Sequence, residues 1–177
     1  MARAGQVIRN PVTGETLTFV VTAADSDGSV LRIDVTADPH KAGPPLHVHR
    51  GFLERHHLQA GKIRFTLRGE EHLVEAPSRF EIPRGAPHTF RVEGDEPART
   101  IVDHEPAGTY ERFLEKMYGL AAEGKTDEKG VPNLLQAAVV GHEHLNDFSL
   151  ARPPYVVQRA LFAVLAPLGR LAGYRSR

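Results

Sequence analysis

Three histidines and one glutamate in the middle of the chain have the spacing expected of a metal-binding group. His47 and His49 are two residues apart, which in a β-strand places both imidazoles on the same face. Glu54 follows after four intervening residues, which lets the chain turn and return a carboxylate to the same place. His88 comes later, at the end of a Pro-Arg-Gly-Ala-Pro turn. Three neutral imidazoles and a carboxylate suit a divalent first-row metal such as Mn, Fe, Ni, Cu or Zn.

The distribution of histidines supports this interpretation. Taken singly, each histidine would more often be a surface or hydrogen-bonded core residue than a ligand. The chain has ten histidines, of which none precedes His40 and eight lie between His40 and His104. This clustering, combined with the spaced glutamate, favours a metal site. We interpret His40, His72, His142 and His144 as surface residues.

The residues around this group predict short β-strands separated by turns. Lys62–Leu67 alternates strictly, so that Ile63, Phe65 and Leu67 share one face. Similar segments cover residues 15–21, 30–37, 79–82, 89–93 and 99–103. Strands at a spacing of roughly 8–12 residues favour a closed barrel or sandwich, because closure removes exposed sheet edges. We therefore predict an all-β domain over residues 1–105.

The pattern after Pro106 changes to that of helices, so residues 106–177 are predicted to form a helical extension. The first helix has Thr109 as its candidate N-cap. A second short helix is expected over residues 133–140, with Asn133 as its cap. The apolar side chains of the first helix recur at i, i+3, i+4 and i+7. They are Tyr110, Phe113, Leu114 and Met117.

A third helix is expected over residues 155–172, with Pro167 bending or ending it near Leu165. Burial of the five large side chains along one face would contribute about 1.5–3 kcal/mol each. We therefore expect this face to pack against the barrel or a partner subunit rather than lie on a membrane. The face consists of Val157, Leu161, Val164, Leu168 and Leu171.

Composition excludes several classes of protein. Lys plus Arg and Asp plus Glu both number 22, so no net field attracts nucleic acid or anionic lipid. The absence of cysteine excludes disulfides, thiolate metal sites and a cysteine nucleophile. Residues 160–169 form an uncharged run that is too short to span a bilayer. The first residues lack the apolar core of a signal peptide, so we expect a cytoplasmic protein.

The same residues resemble the two motifs of the cupin superfamily. The first motif, G(x)5HxH(x)3-4E(x)6G, is met from Gly43 to Gly61, except that Gly43 stands three rather than five residues before the histidine pair. The second motif, G(x)5PxGxxH(x)3N, is met by the segment ending at His88, with Pro77 and Val92 replacing its glycine and asparagine. The resemblance covers about residues 5–105. It implies a cupin double-stranded β-helix, a jelly-roll-like barrel that readily forms homodimers. It also implies that His47, His49, Glu54 and His88 hold one metal ion.

Strand parity indicates which neighbours of the motif face the site. His56 shares the inward face of Glu54, whereas His57 points away, so His56 is a candidate acid or base beside Glu54. Glu54 itself could also act as a base. Phe90 lies on the face of His88, and Ile63 is expected to wall the pocket with it. Phe52 is expected at the rim of the substrate site, with core packing as the alternative.

Function is less specified than fold, since one fold supports many chemistries. The leading hypothesis is a metal-dependent enzyme, an oxygenase-type oxidoreductase that acts on a small organic molecule. One alternative is a barrel that binds a small ligand without catalysis, as a sensor or storage module. The other is a metal-dependent isomerase, which would require basic side chains in the pocket, whereas Arg64 is expected to point outward.

Overall fold

The computed structural model describes residues 2–41 and 43–176, and within these ranges it contains two antiparallel sheets and three helices. The helices are α1 (Tyr110–Ala122), α2 (Leu134–His144) and α3 (Tyr155–Leu171). The strands are β1 (Val7–Asn10), β2 (Glu15–Val21), β3 (Leu31–Ala37), β4 (His47–Val48), β5 (Leu53–Ala60), β6 (Lys62–Leu67), β7 (Glu70–Glu75), β8 (Ser78–Ile82), β9 (His88–Val92), β10 (Ala98–Glu105) and β11 (Ser149–Leu150).

The two sheets form a jelly-roll-like sandwich. The first has the strand order β1-β2-β3-β10-β5-β8, and the second has the order β11-β4-β9-β6-β7. Several neighbouring strands are distant in sequence, since β10 lies between β3 and β5, and β9 lies between β4 and β6. The all-β barrel and the helices that follow it are therefore confirmed. The short strand β11 comes from the C-terminal part of the chain and pairs with β4.

The alternation of side chains decides which of them face the interior. In β6, Ile63 and Phe65 are buried, while Arg64 between them points outward and donates a hydrogen bond of 2.8 Å to Glu93. The sequence pattern does not predict β1 or β7. Strand β7 reads EEHLVE and is mostly exposed, so its apolar alternation is weak, and its position is fixed by backbone pairing with β6.

Two hydrophobic clusters stabilise the sandwich. The smaller lies within the barrel and includes Leu58, Phe65 and Ile82. The larger joins the inward side chains of β2 and β3 to those of α1. Because α1 supplies one side of this larger cluster, it covers part of the inner face of the first sheet. Helix α1 is thus a wall of the barrel interior.

The predicted N-caps are both at the correct residues, but only one caps with its side chain. Asn133 Oδ1 accepts a hydrogen bond of 3.1 Å from the backbone N–H of Gln136, at the start of α2. Thr109 precedes α1, but its hydroxyl donates to the Asp147 carboxylate instead of accepting from the helix. This bond ties the start of α1 to the segment before β11.

Helix α3 does not bury the apolar face that the sequence pattern selects. Of the two partners expected for this face, the barrel does not cover it, because the side chains of the face are between 40% exposed at Leu161 and 86% exposed at Leu171. Contact with a partner subunit stays a prediction. The exposed side chains are Val157, Leu161, Val164, Leu168 and Leu171.

Small residues explain which face of α3 packs instead. A Cβ added to Gly169 would lie 2.6 Å from Val139 Cγ2 and 2.9 Å from the Leu135 carbonyl oxygen. The ring of Phe162 likewise lies over Gly141 of α2. Close approach of the two backbones, rather than the size of the apolar side chains, decides how α3 packs on α2.

The range of α3 agrees with the helix expected over residues 155–172. Of the two effects expected of Pro167, ending the helix near Leu165 does not occur, because the helix continues through Pro167 to Leu171. Pro167 removes one backbone donor, but Ala166 and Gly169 on either side of it are buried and hold the last turns in place. No helix in the described ranges is both long and apolar enough to cross a bilayer.

Two glycine-to-alanine substitutions test the packing of α3. Gly169→Ala should lower the free energy of unfolding by about 1–3 kcal/mol, because the new methyl group overlaps α2. Gly119→Ala is the matched control, since nothing lies within 4 Å of a Cβ at this position of α1. It should raise the free energy of unfolding by about 0.5–1 kcal/mol. Urea titration measures both values, and equal effects would contradict the packing described.

Candidate metal centre

The four residues of the metal-binding pattern come from both sheets and meet between them. His47 lies on β4 and His88 on β9, where the two residues are direct cross-strand partners. His49 follows directly after β4, and Glu54 lies on β5 of the opposite sheet. All four are buried, with at most 7% of any residue exposed. The site therefore lies inside the sandwich.

The Nε2 atoms of the three histidines point toward one another. His47 Nε2 lies 3.1 Å from His49 Nε2. Glu54 Oε2 lies 3.0 Å from His49 Nε2 and 3.3 Å from His88 Nε2. The three imidazoles offer ligand atoms within 4.8 Å of one another and could hold a metal ion. Glu54 adds a carboxylate oxygen at the edge of this group.

Each of the three imidazoles is oriented by a hydrogen bond on its other nitrogen. His47 Nδ1 lies 2.8 Å from the Pro45 carbonyl oxygen, and His88 Nδ1 lies 2.9 Å from that of Ala86. His49 Nδ1 contacts the carbonyl oxygen of Asp147. Because a carbonyl can only accept, each Nδ1 must carry the proton. In the neutral rings each Nε2 then carries a lone pair and no proton, as metal ligation requires.

This arrangement leaves buried polar atoms that protein groups do not satisfy. Among the described residues, neither Glu54 Oε2 nor His88 Nε2 has a hydrogen-bond partner. Lone pairs of neighbouring imidazoles and a carboxylate repel each other at these distances in a site without water. A cation at their meeting point removes both problems at once. The donor set therefore fits a divalent first-row metal.

The electrostatics of the site favour a carboxylate at Glu54 and a neutral imidazole at His47. Burial alone would raise the pKa of Glu54, but its contacts with His49, His56 and His88 outweigh burial and hold that pKa well below its usual value. Burial would lower the pKa of His88, but the contact with Glu54 outweighs it and raises that pKa, so a proton on His88 can take the place of the cation beside Glu54 when no metal is bound. Burial, reinforced by the neighbouring His49 and His88, lowers the pKa of His47 well below its usual value. At neutral pH Glu54 and His47 are both in the form that binds a metal.

His56 lies beside Glu54 on the inward face of β5. Its Nε2 lies 2.7 Å from Glu54 Oε1, the carboxylate oxygen that faces away from the three imidazoles. His56 Nδ1 lies 3.5 Å from the hydroxyl of Thr100. His57 points to the opposite face, 3.4 Å from Asp103. His56 thus holds the carboxylate that completes the group.

Two motif glycines are required by the backbone around the site. A Cβ on Gly43 would lie 1.8 Å from the Phe90 carbonyl oxygen, so only glycine lets the segment before β4 pass over β9. Gly85 has a φ of +76°, a conformation that favours glycine, and its N–H donates to the His49 carbonyl at 2.7 Å. The second motif therefore fixes the backbone of a ligand supplied by the first.

The C-terminal part of the chain is built into the site, which the sequence does not reveal. Strand β11 pairs with β4, so that Leu150 lies opposite His47. The ring of Phe148 stacks on His47 with centroids 4.6 Å apart. The carbonyl of Asp147 orients His49, and that of Asn146 accepts from Gly51 at 2.9 Å. A backbone carbonyl has no sequence signature, so no pattern could have indicated Asp147.

A cavity of about 120 Å³, partly open to solvent, adjoins the metal centre. His47, Glu54 and His56 line it, together with Ile63 and Phe90. Helix α1 and the segment before β11 add the rings of Tyr110, Phe113 and Phe148. The apolar spacing of α1 identifies Tyr110 and Phe113 as buried, but not the cavity that they cover.

Phe52 is not on the cavity wall. It is fully buried in the larger hydrophobic cluster, where its ring stacks behind His49 at 4.4 Å. Phe52 lies between two ligands in a connecting segment without strand parity, so its sequence position does not specify its direction. We therefore assign it to core packing.

His104 is a further buried histidine at the cavity. It lies directly across the strand pair from Glu54, and its ring is 4.8 Å from that of Tyr110. Within the described residues its Nδ1 has no hydrogen-bond partner. Burial lowers the pKa of His104 to about 4. His144 is also buried rather than at the surface, because its Nδ1 lies 2.8 Å from the Thr109 hydroxyl.

Comparisons with known proteins agree with this geometry. Residues 33–103 match the family model of the cupin domain. The chain is 31% identical over 112 residues to a cell division cycle protein 48 homolog of Archaeoglobus fulgidus, which covers 63% of this chain and 14% of that protein. It is 30% identical over 80 residues to quercetin 2,3-dioxygenase of Bacillus subtilis, which covers 45% of this chain and 24% of that protein. The chain thus spans only a small part of these curated relatives.

A solved structure of similar fold is that of a predicted oxalate decarboxylase from Thermotoga maritima. The two share 16% sequence identity with a TM-score of 0.51, over 60% of this chain and 98% of that chain. At this identity the likeness shows the fold alone. Together with the two-sheet sandwich, it shows the cupin fold, and the family match places a cupin domain at residues 33–103.

Removal of two imidazoles tests the metal centre. Protein purified without chelator is expected to contain about one divalent ion per chain. A His47→Ala, His88→Ala double variant should lose it, because two of the converging Nε2 atoms are gone. His40→Ala is the control, since that side chain is exposed. Elemental analysis measures all three proteins, and unchanged metal content in the double variant would rule out this site.

Burial of His104 predicts a pH dependence of stability in metal-free protein. Its pKa is about 4 in the folded chain and near 6.5 in the unfolded chain, so the unfolded chain binds more protons between these values. The stability from neutral His104 is complete above about pH 6.5 and falls as pH approaches 4. Between pH 7 and 4.5 the wild type should lose about 2–3 kcal/mol more than His104→Leu. Urea unfolding at both pH values decides this, and parallel losses would contradict it.

Proposed function

We propose that this chain is a metal-dependent, oxygenase-type oxidoreductase acting on a small, largely apolar organic molecule. The observation that carries the proposal is the direct opening of the three-imidazole, one-carboxylate group onto an aromatic cavity. A site that only stabilised the fold would be closed by protein ligands. Here His47 and Glu54 line the cavity wall, so a molecule in the cavity would lie beside the metal.

The proposed ligands are His47, His49, Glu54 and His88. Four protein donors leave about two positions open on a six-coordinate ion, or one on a five-coordinate ion. A redox-active divalent metal supplies electron transfer and Lewis acidity at this place. The hydrogen bonds to Pro45, Ala86 and Asp147 hold the imidazoles in the ligating tautomer before any ion arrives.

Glu54 and His56 are the proposed acid–base residues. One proton is shared between His56 Nε2 and Glu54 Oε1, 2.7 Å apart, while Oε2 faces the three histidines. If Oε2 leaves the metal, it can accept a substrate proton, and the shared proton then moves fully onto His56, so that the carboxyl carries one proton and His56 becomes an imidazolium. Both side chains line the cavity, so they can act on a bound molecule without moving far.

The walls of the cavity favour an aromatic or otherwise apolar substrate. Ile63 and Phe90 come from the barrel, and Phe148 from the C-terminal segment. Tyr110 adds a ring 5.1 Å from His49. The partial likeness to a quercetin 2,3-dioxygenase supports an oxygenase reaction on such a molecule.

The isomerase alternative receives less support from the cavity. Sugar and sugar-phosphate chemistry calls for several basic side chains around the substrate. Among the described residues that line the cavity, Lys129 is the single lysine or arginine, and it is exposed. Arg64 points outward and pairs with Glu93.

Metal exchange combined with a variant of His56 tests the proposal. Protein loaded with Fe, Mn, Ni or Cu is expected to consume O2 with members of an aromatic substrate panel, and Zn-loaded protein is not. His56→Gln should keep its metal and lower kcat by roughly 10²–10⁴-fold, because the shared proton is lost. His57→Gln is the matched control, since its side chain faces away from the cavity.

Three results would contradict the proposal. Stoichiometric metal with no O2 consumption in any redox-active form would favour a non-catalytic ligand-binding protein. Equal turnover with Zn would indicate chemistry without electron transfer. A kcat in His56→Gln equal to that in His57→Gln would remove His56 from the reaction.

A further inference from the structure

The cavity beside the metal centre has a second polar region at its other end. Glu15 and Thr13 line it there, together with Asn10, Tyr118 and Lys129. Strand register shows how far this group lies from the metal. Glu15 is paired with Ala37, at the opposite end of β3 from Leu31, which is paired with His104 beside the metal centre.

Helix α1 gives the distance between the two ends. Its residue Tyr110 stands at the metal end, with its ring 5.1 Å from that of His49. Tyr118, eight residues later on the same helix, lines the other end beside Glu15. At a rise of about 1.5 Å per residue, the backbones at these two positions are about 12 Å apart along the helix axis. The two ends of the cavity are therefore separated by about two turns of α1.

The wall between the two ends is mostly apolar. Among its described residues Thr100, opposite Val35, carries a hydroxyl, which lies 3.5 Å from His56 Nδ1. The apolar side chains come from β2, β3 and α1. They are Leu17, Ile33, Val35, Leu114 and Met117.

Glu15 is a charged residue type at an inward position of β2, where the positions that follow are apolar. The inward positions that follow it on β2 are Leu17 and Phe19, which are 1% and 0% exposed. An apolar side chain at position 15 would continue that pattern, whereas burial of a carboxyl group raises the pKa of Glu15. The surroundings of Glu15 therefore disfavour its ionised form, and they favour a ligand group that hydrogen-bonds the carboxyl.

The carboxyl of Glu15 has room for another partner. Thr13 Oγ1 donates to Glu15 Oε2 at 2.6 Å, and the hydroxyl of Tyr118 also bonds the carboxyl. A carboxyl group offers about four lone-pair positions when ionised. Glu15 is only half-buried, so the cavity reaches it. A ligand hydroxyl or ammonium group can therefore join the two protein donors.

We propose that Glu15, held by Thr13 and lying beside Tyr118, is a distal recognition site that selects ligands by a hydroxyl or ammonium group at the end remote from the metal. This rests on the proposed function, because the metal fixes the other end of the ligand. A carboxylate or phosphate at the distal position would face the Glu15 carboxyl and be disfavoured, because Lys129 at the same end is exposed and its charge is screened by solvent. The substrate class is thus narrowed from apolar molecules to those with a hydrogen-bond donor at the remote end.

A matched pair of chelating probes tests the distal site. Biphenyl-4-hydroxamic acid carries a metal-binding group at one end, and its 4′-hydroxy derivative adds one donor at the other. Metal-loaded wild type should bind the 4′-hydroxy probe about 5–10-fold tighter, as one buried hydrogen bond provides. Glu15→Leu should bind both probes equally, and Glu15→Gln should keep part of the preference. Isothermal titration calorimetry measures each dissociation constant.

Controls separate the distal site from general effects on the fold. Glu123→Leu replaces an exposed glutamate just after α1 and should keep the full preference. Equal binding of both probes by wild type would overturn the proposal. So would a preference that survives in Glu15→Leu, or tighter binding of the 4′-carboxylate analogue than of the 4′-hydroxy probe.

Failure of the metal centre gives a different result from failure of the distal site. If the protein takes up no metal, the proposed function fails by elemental analysis alone. The distal site is then tested with 4-phenylphenol, which has no chelating group. Its binding to wild type and Glu15→Gln but not to Glu15→Leu supports the distal site, and equal binding to wild type and Glu15→Leu overturns it.

Discussion

The structure depends on the convergence of three unprotonated imidazole nitrogens and one carboxylate oxygen in a buried space between two sheets. His47 Nε2 and His49 Nε2 are 3.1 Å apart, and Glu54 Oε2 lies 3.0 Å from the latter. Without a positive charge among them, this arrangement concentrates lone pairs where no water can reach them. The fold accepts this cost because backbone carbonyls fix the other nitrogen of each ring. A divalent cation converts the same repulsion into ligation.

The helical extension contributes directly to this arrangement. Asp147 orients His49, Phe148 stacks on His47, and β11 extends the sheet that contains β4. The carboxylate of Asp147 also accepts the N–H of Thr109 at 3.2 Å, which links the start of α1 to the same segment. The matched cupin model ends at residue 103, so these contacts lie beyond it. The proposed ligands lie within residues 33–103, which match the cupin domain, while their support and much of the cavity wall come from this chain's own C-terminal part.

The sequence predicts this site well where side-chain type or strand parity specifies direction. The spacing of His47, His49, Glu54 and His88 indicates the donor set, and parity places Ile63 and Phe90 toward the interior. Prediction stops where direction depends on tertiary contacts. Phe52 lies in a connecting segment, and a main-chain carbonyl such as that of Asp147 has no pattern. The apolar face of α3 is a poor guide to which side of the helix packs on α2. Gly141 and Gly169 let α2 approach from another side, and close backbone packing outweighs the burial of larger side chains.

The most direct test of the central claim is anomalous X-ray diffraction from crystals of the full chain loaded with Zn, recorded at the Zn absorption edge. The account predicts one strong peak between the sheets, about 2.0–2.2 Å from the Nε2 atoms of His47, His49 and His88 and from a Glu54 oxygen. The three Nδ1 atoms should keep their bonds to Pro45, Asp147 and Ala86. A fully loaded crystal with its peak elsewhere, or with ligation through Nδ1, would contradict the account.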